Sequence, residues 1–210
     1  IINCNNYSDS YQWYKGNLHT HTFWSDGDAP PEITVDWYKS NGYDFLALSD
    51  HNILSTVEKW IKVHDNDPGG WPPTMTKSKL KDIENKFGLE WINTRIMNDT
   101  LEMQLTTLDK LKMKFELDND FLLIQSEEIS DIYEKTPIHI NATNISEFIP
   151  PQGGNSVFDV LQRNINAVRE QRKTTGQAMI AHINHPNYKW ALLSEHLINI
   201  QGDSFFEVYN

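Results

Sequence analysis

The feature that most constrains the fold of this chain is a repeated pattern of short apolar runs that end abruptly in His, Asp or Glu. Five or six segments share it. The run Phe45–Leu48 leads into Asp50 and His51, and the run at 121–124 is followed closely by Glu127. Short apolar runs bounded by polar residues are typical of parallel strands that are buried on both faces. The pattern therefore predicts an α/β fold built on a mostly parallel sheet.

The histidines follow the same pattern. Six of the eight come at the ends of these runs, and only His64 and His196 do not. In a barrel of parallel strands, polar side chains at the carboxyl ends of the strands meet at one face and form the active site. The histidines therefore predict a metal site at that end of the sheet.

The composition is compatible with one sizeable domain over residues 1–210 and excludes several other classes. Hydrophobic residues make up 39% of the chain and aromatic residues 11%, which is enough for a globular core. A net charge of -11 offers no basic footprint to a nucleic-acid backbone. No apolar stretch approaches the roughly 20 residues that span a membrane. The single cysteine, Cys4, excludes an internal disulfide and a cysteine-based zinc site but leaves the redox compartment open.

Local signals predict strands and helices in alternation. We expect strands that end at His21, at 44–48, at 121–125, around His139, at 177–181 and at 204–209. A helix is predicted from about Glu32 to Ser40, where Asn41 and Gly42 form a stop signal. A second helix follows a Ser156 cap. Its apolar stripe consists of Val157, Val160, Leu161, Ile165 and Val168.

Two segments do not fit this alternation. Residues 76–119 are rich in Lys, Glu, Leu and Met and show no strand signal. They predict two helices broken near Gly88, which would form an insertion or lid over the strand ends. Residues 1–14 are predicted to form an irregular, aromatic lead-in.

The His-x-His at 19–21 is the first candidate metal motif. On a strand, residues i and i+2 project from the same face, so His19 and His21 can reach one ion. A lone His-x-His is weak support, because histidines reach that spacing by chance. Asp26, in a Ser-Asp-Gly turn, and His51, after the next strand, strengthen the prediction. Imidazole and carboxylate together favour zinc, manganese or iron over calcium.

The remaining candidates each have a purely structural alternative. Glu127 and Glu128 could be two carboxylates in a solvated loop, or one of them could bridge two cations about 3.5–4 Å apart. His139 could bond the backbone, and His182 and His185 could order the loop that follows them. The coincidence of all these residues at one end of one sheet favours the metal site.

The order of the motifs resembles the polymerase and histidinol phosphatase (PHP) superfamily of metal-dependent phosphoesterases. The motifs are His-x-His, Ser-Asp-Gly, Ser-Asp-His, Glu-Glu-Ile, Ile-His and Ala-His-Ile-Asn-His-Pro, and the resemblance extends over residues 19–210. The chain is most similar to the branch that includes carbaryl-hydrolase-like proteins. The resemblance implies a distorted (β/α)7 barrel, similar to a TIM barrel. It also implies up to three divalent metal ions of zinc, manganese or iron.

The resemblance further implies a set of metal ligands, spread over three sites. They are His19 and His21 for the first metal, Glu128, His139 and either His182 or His185 for the second, and Asp26 and His51 for a third. Glu128 would bridge the first and second metals. It is preferred to Glu127 because residues 126–128 match the family's Gly-x-Glu except at the glycine.

One motif of the family is missing. The family supplies a last Asp-x-His near the end of the barrel, which completes the first and third sites, and this chain has no Asp-x-His after His51. The chain stops at Asn210 within a predicted strand, which would leave an unpaired sheet edge. We therefore expect a fragment that lacks the final barrel segments, so that the barrel is incomplete at its C-terminal end.

The resulting expectation is a metal-dependent hydrolase, foremost a phosphoesterase that uses a metal-activated hydroxide on a small-molecule substrate. His51 or His139 could protonate the leaving group. If both are metal ligands, the proton must instead come through water.

Other functions and the location of the protein stay open at this point. A carbamate or carboxylic-ester hydrolase would use the same centre, and Trp24, Trp71 and Trp190 near strand ends would favour an aromatic substrate. An alternative of another class is an inactive metal-binding module that binds a partner through residues 76–119. The aromatic lead-in and the branch that the chain resembles favour an exported or periplasmic protein over a cytoplasmic one.

Overall fold

The computed structural model describes residues 12–118, 120–202 and 205–208. The strands in these residues are β1 Gly16–Asn17, β2 Phe45–Leu48, β3 Trp60–Lys62, β4 Thr94–Met97, β5 Thr100–Gln104, β6 Leu122–Tyr133, β7 Thr136–Thr143 and β8 Ile180–Ile183. The α-helices are α1 Pro31–Ser40, α2 Lys77–Phe87, α3 Leu108–Phe115, α4 Val157–Thr175 and α5 Ser194–Ile198. Cys4, most of the predicted lead-in and both ends of the strand predicted at 204–209 lie outside the described residues.

The main sheet has five strands in the order β1-β2-β6-β7-β8. The strands β1, β2 and β6 run parallel, as predicted, whereas β6, β7 and β8 are antiparallel. A tight turn at Glu134 and Lys135 joins β6 directly to β7, where a (β/α)7 barrel would have a helix. The mixed α/β class is confirmed, and the sheet curls into a half-barrel. Within the described ranges it does not show the expected sevenfold repeat of parallel strand and helix.

Between β2 and β6 the chain forms a second sheet, which is antiparallel and has the order β3-β5-β4. The prediction that residues 76–119 contain no strand is therefore wrong. In β5, apolar Leu101 and Met103 alternate with polar neighbours, which is a strand pattern. Asn98 and Asp99 form the hairpin turn with φ of 50° and 57°, a conformation that suits these residue types.

The predicted helices are confirmed where local signals define them. α2 ends at Gly88, and α1 ends at Asn41 and Gly42. At the start of α4, the Ser156 hydroxyl accepts a hydrogen bond from the Asp159 amide. The predicted stripe of α4 packs into an apolar cluster with β6, β7 and β8. No helix in the described ranges, α4 included, is both long enough and apolar enough to cross a bilayer.

Candidate metal centre

The centre of the site is Glu128, whose side chain is fully buried within a ring of five imidazoles. Oε1 of Glu128 lies 3.3 Å from His19 Nε2, 3.2 Å from His139 Nδ1 and 3.4 Å from His185 Nε2. Oε2 lies 3.1 Å from His21 Nε2 and 2.7 Å from His51 Nδ1. Neighbouring imidazoles have ring centroids 4.3 to 5.7 Å apart, and the circle closes from His185 back to His19.

The parallel strands bring the first three of these histidines together. β2 pairs with β6, and beyond the end of β2 the Glu128 amide donates to the Asp50 carbonyl. The segment that follows β1 continues alongside, because the Ser49 amide donates to the Thr20 carbonyl. His19 and His21 therefore lie just after β1 rather than on it, but the extended backbone still directs both rings to Glu128. Carboxyl ends of parallel strands meet at one edge, as the sequence pattern predicts.

A compact turn carries Asp26 to the same edge. The Gly27 amide donates to the Thr22 carbonyl at 2.9 Å, and a Cβ at Gly27 would lie 2.3 Å from the His21 carbonyl carbon. Only glycine permits that approach. Buried Asp50 stabilises the turn by accepting hydrogen bonds from the Thr22 amide and the Ser25 hydroxyl, both at 2.7 Å.

Antiparallel strands supply the other two histidines. His139 lies within β7 opposite Ser130 of β6, and His185 follows β8. His185 has a φ of 24°, a conformation that costs an L-residue free energy and is found where surrounding contacts hold it. Asn184 links the segments, because its amide nitrogen Nδ2 donates to Glu128 Oε1 at 2.6 Å.

Two clusters of three residues have ligand atoms close enough to hold one ion each, and both contain Glu128. One cluster is His19, Glu128 and His185, and the other is His21, His51 and Glu128. This grouping divides the His-x-His pair, which the family resemblance assigns to one metal. Asp26 Oδ2 lies 3.5 Å from His51 Nε2, but within the described residues this pair does not form a third three-residue cluster.

Among the six histidines predicted as ligands, His182 is the one that the structure leaves out of the ring around Glu128. It is buried in β8, where it lies opposite Asn141 of β7. Burial lowers the pKa of His182 to about 4, so its ring is neutral at physiological pH. Of the two alternatives for this ligand, the structure brings His185 to Glu128.

Glu127 and Glu128 face different surroundings because successive side chains of a strand project to opposite faces. Glu127 is buried away from the histidines, where Oε1 accepts a hydrogen bond from the Ile149 amide at 2.7 Å. Burial raises the pKa of Glu127 to about 7. Glu128 and not Glu127 is therefore the carboxylate at the centre of the site.

The histidines set the ionisation of Glu128. Burial would raise its pKa, but the contacts with His139, His185, His19 and His21 outweigh burial and hold the pKa far below its usual range. Burial likewise opposes a charge on His19, yet contacts with Glu128 and Glu207 raise its pKa to about 9. The pKa of His21 is raised in the same way. Glu128 is thus an ionised carboxylate that needs cationic neighbours.

The residues present fit a divalent transition metal. Oε2 of Glu128 accepts no hydrogen bond, although ring nitrogens of His21 and His51 lie within 3.1 Å of it. Nδ1 of His139, also buried, has no hydrogen-bond partner either, although Glu128 Oε1 lies 3.2 Å away. These nitrogen and oxygen atoms lie close together without forming hydrogen bonds to one another. Metal ligands around a shared ion have this arrangement. The donor set of imidazole and carboxylate suits zinc, manganese or iron.

The sequence analysis missed several residues that organise the site. Glu207 is the most prominent, because its Oε1 lies 2.6 Å from His19 Nδ1 and its Oε2 accepts the His185 amide at 2.7 Å. Ser130 Oγ lies 2.5 Å from His51 Nδ1 and orients that ring. A carboxylate after an apolar run is the signal that indicated Glu127 and Glu128, and Phe205-Phe206-Glu207 carries it too.

A cavity of about 640 Å³ opens above the cluster. It is lined by His19, His21, Asp26, His51, Trp71, Glu128, His139, His185, Asn187 and Tyr188. Of the three tryptophans singled out from the sequence, Trp71 lines this cavity. Trp24 is buried in the core, where its Nε1 donates to the Thr106 carbonyl, and Trp190 does not line the cavity.

Comparisons with known proteins found similarity at the level of structure but not of sequence families. The sequence matches no model of a known protein family and no curated protein. A solved structure with some similarity is a two-domain protein from Bacteroides vulgatus described as containing a predicted PHP-like metal-dependent phosphoesterase. The two chains are 17% identical and align with a TM-score of 0.46. The match covers 90% of this chain and 41% of the other, so this chain spans about two fifths of its length.

Proposed function

We propose that this chain is a metal-dependent hydrolase of the PHP type, foremost a phosphoesterase, with two metal ions on either side of Glu128. The observation that carries the proposal is the buried carboxylate shared by two clusters of three ligands. When bound, a pair of divalent cations polarises the scissile group and lowers the pKa of a bound water. The order of motifs along the chain supports the PHP type, and membership in its carbaryl-hydrolase-like branch stays a prediction.

The residues of the chain have distinct roles in this proposal. His19 and His185 hold one ion, His21 and His51 hold the other, and Asn184 fixes the orientation of the shared carboxylate. His139 lies beside Oε1 of that carboxylate and extends the first set. Because His51 and His139 both face Glu128, neither is available as a separate proton donor. The leaving group would therefore take its proton through water.

The charge of the cavity favours a substrate with little negative charge. Asp26 and Glu128 line the cavity and Glu207 adjoins it, whereas no Lys or Arg lines it in the described chain. A phosphate monoester dianion would have only the bound cations to balance its charge. A phosphodiester with one negative charge, or a neutral carbamate or carboxylic ester, needs less compensation.

Aromatic side chains at the rim point to a planar group on the substrate. Trp71 lies on the side of His21 and Asp26, with which it also lines an adjoining cavity, and Tyr188 lies against His185 with ring centroids 5.3 Å apart. Both are partly exposed and so offer ring faces to a ligand. Stacking on such faces is worth about 0.5–1.5 kcal/mol per pair beyond the burial of area. We therefore propose an aryl ester as the substrate class.

A turnover assay on aryl esters after metal loading tests the function. Protein stripped with chelator and reloaded with zinc or manganese should hydrolyse bis(p-nitrophenyl) phosphate faster than p-nitrophenyl phosphate. Turnover of p-nitrophenyl acetate or an aryl carbamate without the diester would favour the alternative hydrolase. Glu128→Gln should abolish turnover, and Glu127→Gln, which changes a carboxyl on the other face, is the matched control. Metal uptake without hydrolysis of any ester would favour the metal-binding interaction module.

A further inference from the structure

Two of the imidazoles around Glu128 are each backed by a second carboxylate. His19 Nδ1 lies 2.6 Å from Glu207 Oε1, and His21 Nδ1 lies 2.8 Å from Asp26 Oδ1. The opposite nitrogens, Nε2 of both rings, face each other at 3.1 Å and lie 3.3 and 3.1 Å from the oxygens of Glu128. Each histidine of the His-x-His pair thus has its own carboxylate at Nδ1 and the shared Glu128 at Nε2.

The backing carboxylates decide which nitrogen of each ring carries the proton. A carboxylate accepts hydrogen bonds but cannot donate them, so in the metal-loaded chain Nδ1 of His19 and of His21 would carry the proton that the backing carboxylate accepts. Nε2 of each ring, which lies beside Glu128, is then the nitrogen that would give its lone pair to the ion. Such a pairing of carboxylate and imidazole orients metal-ligating histidines and raises their basicity.

Glu207 has an additional task at the other ligand of the same cluster. Its Oε2 accepts the His185 amide at 2.7 Å, and His185 has the unfavourable φ of 24°. The Glu207 amide in turn donates to the Ile183 carbonyl at 2.8 Å, which ties the segment to β8. One side chain therefore orients the ring of His19 and holds the backbone of His185.

We infer that Asp26 and Glu207 are a matched pair of positioning residues, which fix His19 and His21 with Nε2 directed inward, rather than metal ligands themselves. The inference rests on the proposed metal centre and assigns a role to Glu207, which is not among the ligands that the family resemblance implies. It also changes the role that the family resemblance implies for Asp26, from ligand of a third metal to partner of His21.

Zinc affinity of single variants tests the positioning role. Competition with a chromophoric chelator should show that Glu207→Ala and Asp26→Ala bind zinc about 10–100-fold more weakly than the unchanged chain. Glu207→Gln should lose less zinc affinity than Glu207→Ala, because the amide oxygen of glutamine still accepts a hydrogen bond from His19 Nδ1. The matched controls are Asp28→Asn and Glu195→Gln, which change exposed carboxylates and should bind zinc as the unchanged chain does.

Nitrogen NMR supplies a readout that a merely structural role would not change. In the zinc-loaded protein, long-range ¹H–¹⁵N spectra should show Nδ1 protonated on both His19 and His21. Glu207→Ala should disturb the tautomer of His19 alone, and Asp26→Ala that of His21 alone. Protonation of Nε2 in the zinc-loaded unchanged chain, or unchanged zinc affinity in both alanine variants, would overturn the inference.

The outcomes separate this inference from the function on which it rests. If the unchanged chain takes up zinc and Glu128→Gln does not, while the Asp26 and Glu207 variants bind normally, the positioning role fails and the hydrolase stands. If Asp26→Asn lowers the number of bound ions by one without weakening the others, Asp26 is a ligand and the inference is wrong. If the unchanged chain binds no zinc, both proposals are wrong.

Discussion

Glu32, in the first turn of α1, is a buried carboxyl group whose ionisation should make the stability of this protein depend on pH. Its side chain is fully buried, and neither oxygen has a partner with hydrogen-bond geometry. Thr106 and Lys110 lie close enough to lower the pKa only in part, so burial prevails and raises it to about 7. An ordinary glutamate titrates near pH 4.5.

The sign and size of the effect follow from this difference. Between about pH 4.5 and pH 7 the folded chain binds a proton that the unfolded chain has released, so the free energy of unfolding falls as the pH rises. A pKa difference of about 2.5 at 1.36 kcal/mol per unit makes the full loss about 3 kcal/mol. Part of this loss already occurs below pH 5. The free energy of unfolding should therefore fall by about 2 to 3 kcal/mol between about pH 5 and pH 8.

Urea unfolding of Glu32→Gln and of the unchanged chain at these two pH values measures the effect. The glutamine cannot ionise, so relative to the unchanged chain this variant should gain about 2 to 3 kcal/mol on going from about pH 5 to pH 8. Glu127, whose pKa is also raised, is present in both proteins and cancels in the comparison. Exposed Glu147, replaced by Gln, is the matched control and should show no such change. A pH-dependent difference below about 1 kcal/mol would refute the reasoning, because Glu32 would then not be desolvated as its burial implies.

Three further predictions concern the site. Glu128→Gln should remove most of the bound metal while Glu127→Gln retains it, as measured by elemental analysis after zinc loading, and equal losses would contradict the assignment of faces on β6. His185→Gln should lower the zinc content in the same measurement, whereas His182→Gln should leave it unchanged. Trp71→Leu should raise the KM for an aryl phosphodiester several-fold, by about the worth of one stacking contact, with the KM for a methyl ester unchanged. Equal shifts for both esters would mean that Trp71 does not contact the aromatic group.

Much of the site could be predicted because its signals are local. An apolar run that ends in a ligand-type residue marks both a buried strand and its polar end, and this signal indicated His51, the pair Glu127 and Glu128, and the pair His182 and His185. His182 shares that signal and could not be separated from His185 by it. The two differ only in where the chain turns after β8, and a short run of residues does not encode that turn.

Other errors arose where sequence signals are weak. The turn between β6 and β7 is made by Glu134 and Lys135, which are not turn-forming residue types, so nothing marked the hairpin that makes half of the sheet antiparallel. In the insertion, β3 and β4 are only three and four residues long. Such short strands form because they pair with strands elsewhere in the chain. Three or four residues carry too little sequence pattern to predict that pairing.

By itself, the sequence determined the helices α1 and α4, the strand β2 and the residue types of the metal site, because periodicity and helix capping act between residues a few positions apart. Only the tertiary structure decided which carboxylate of the Glu127–Glu128 pair faces the histidines, how the ligands divide into two clusters, and that Glu207 backs His19. Those two residues are 188 positions apart along the chain. They meet because the sheet curls and the segment after α5 returns to β8, which is a consequence of strand pairing over the whole fold rather than of any local pattern.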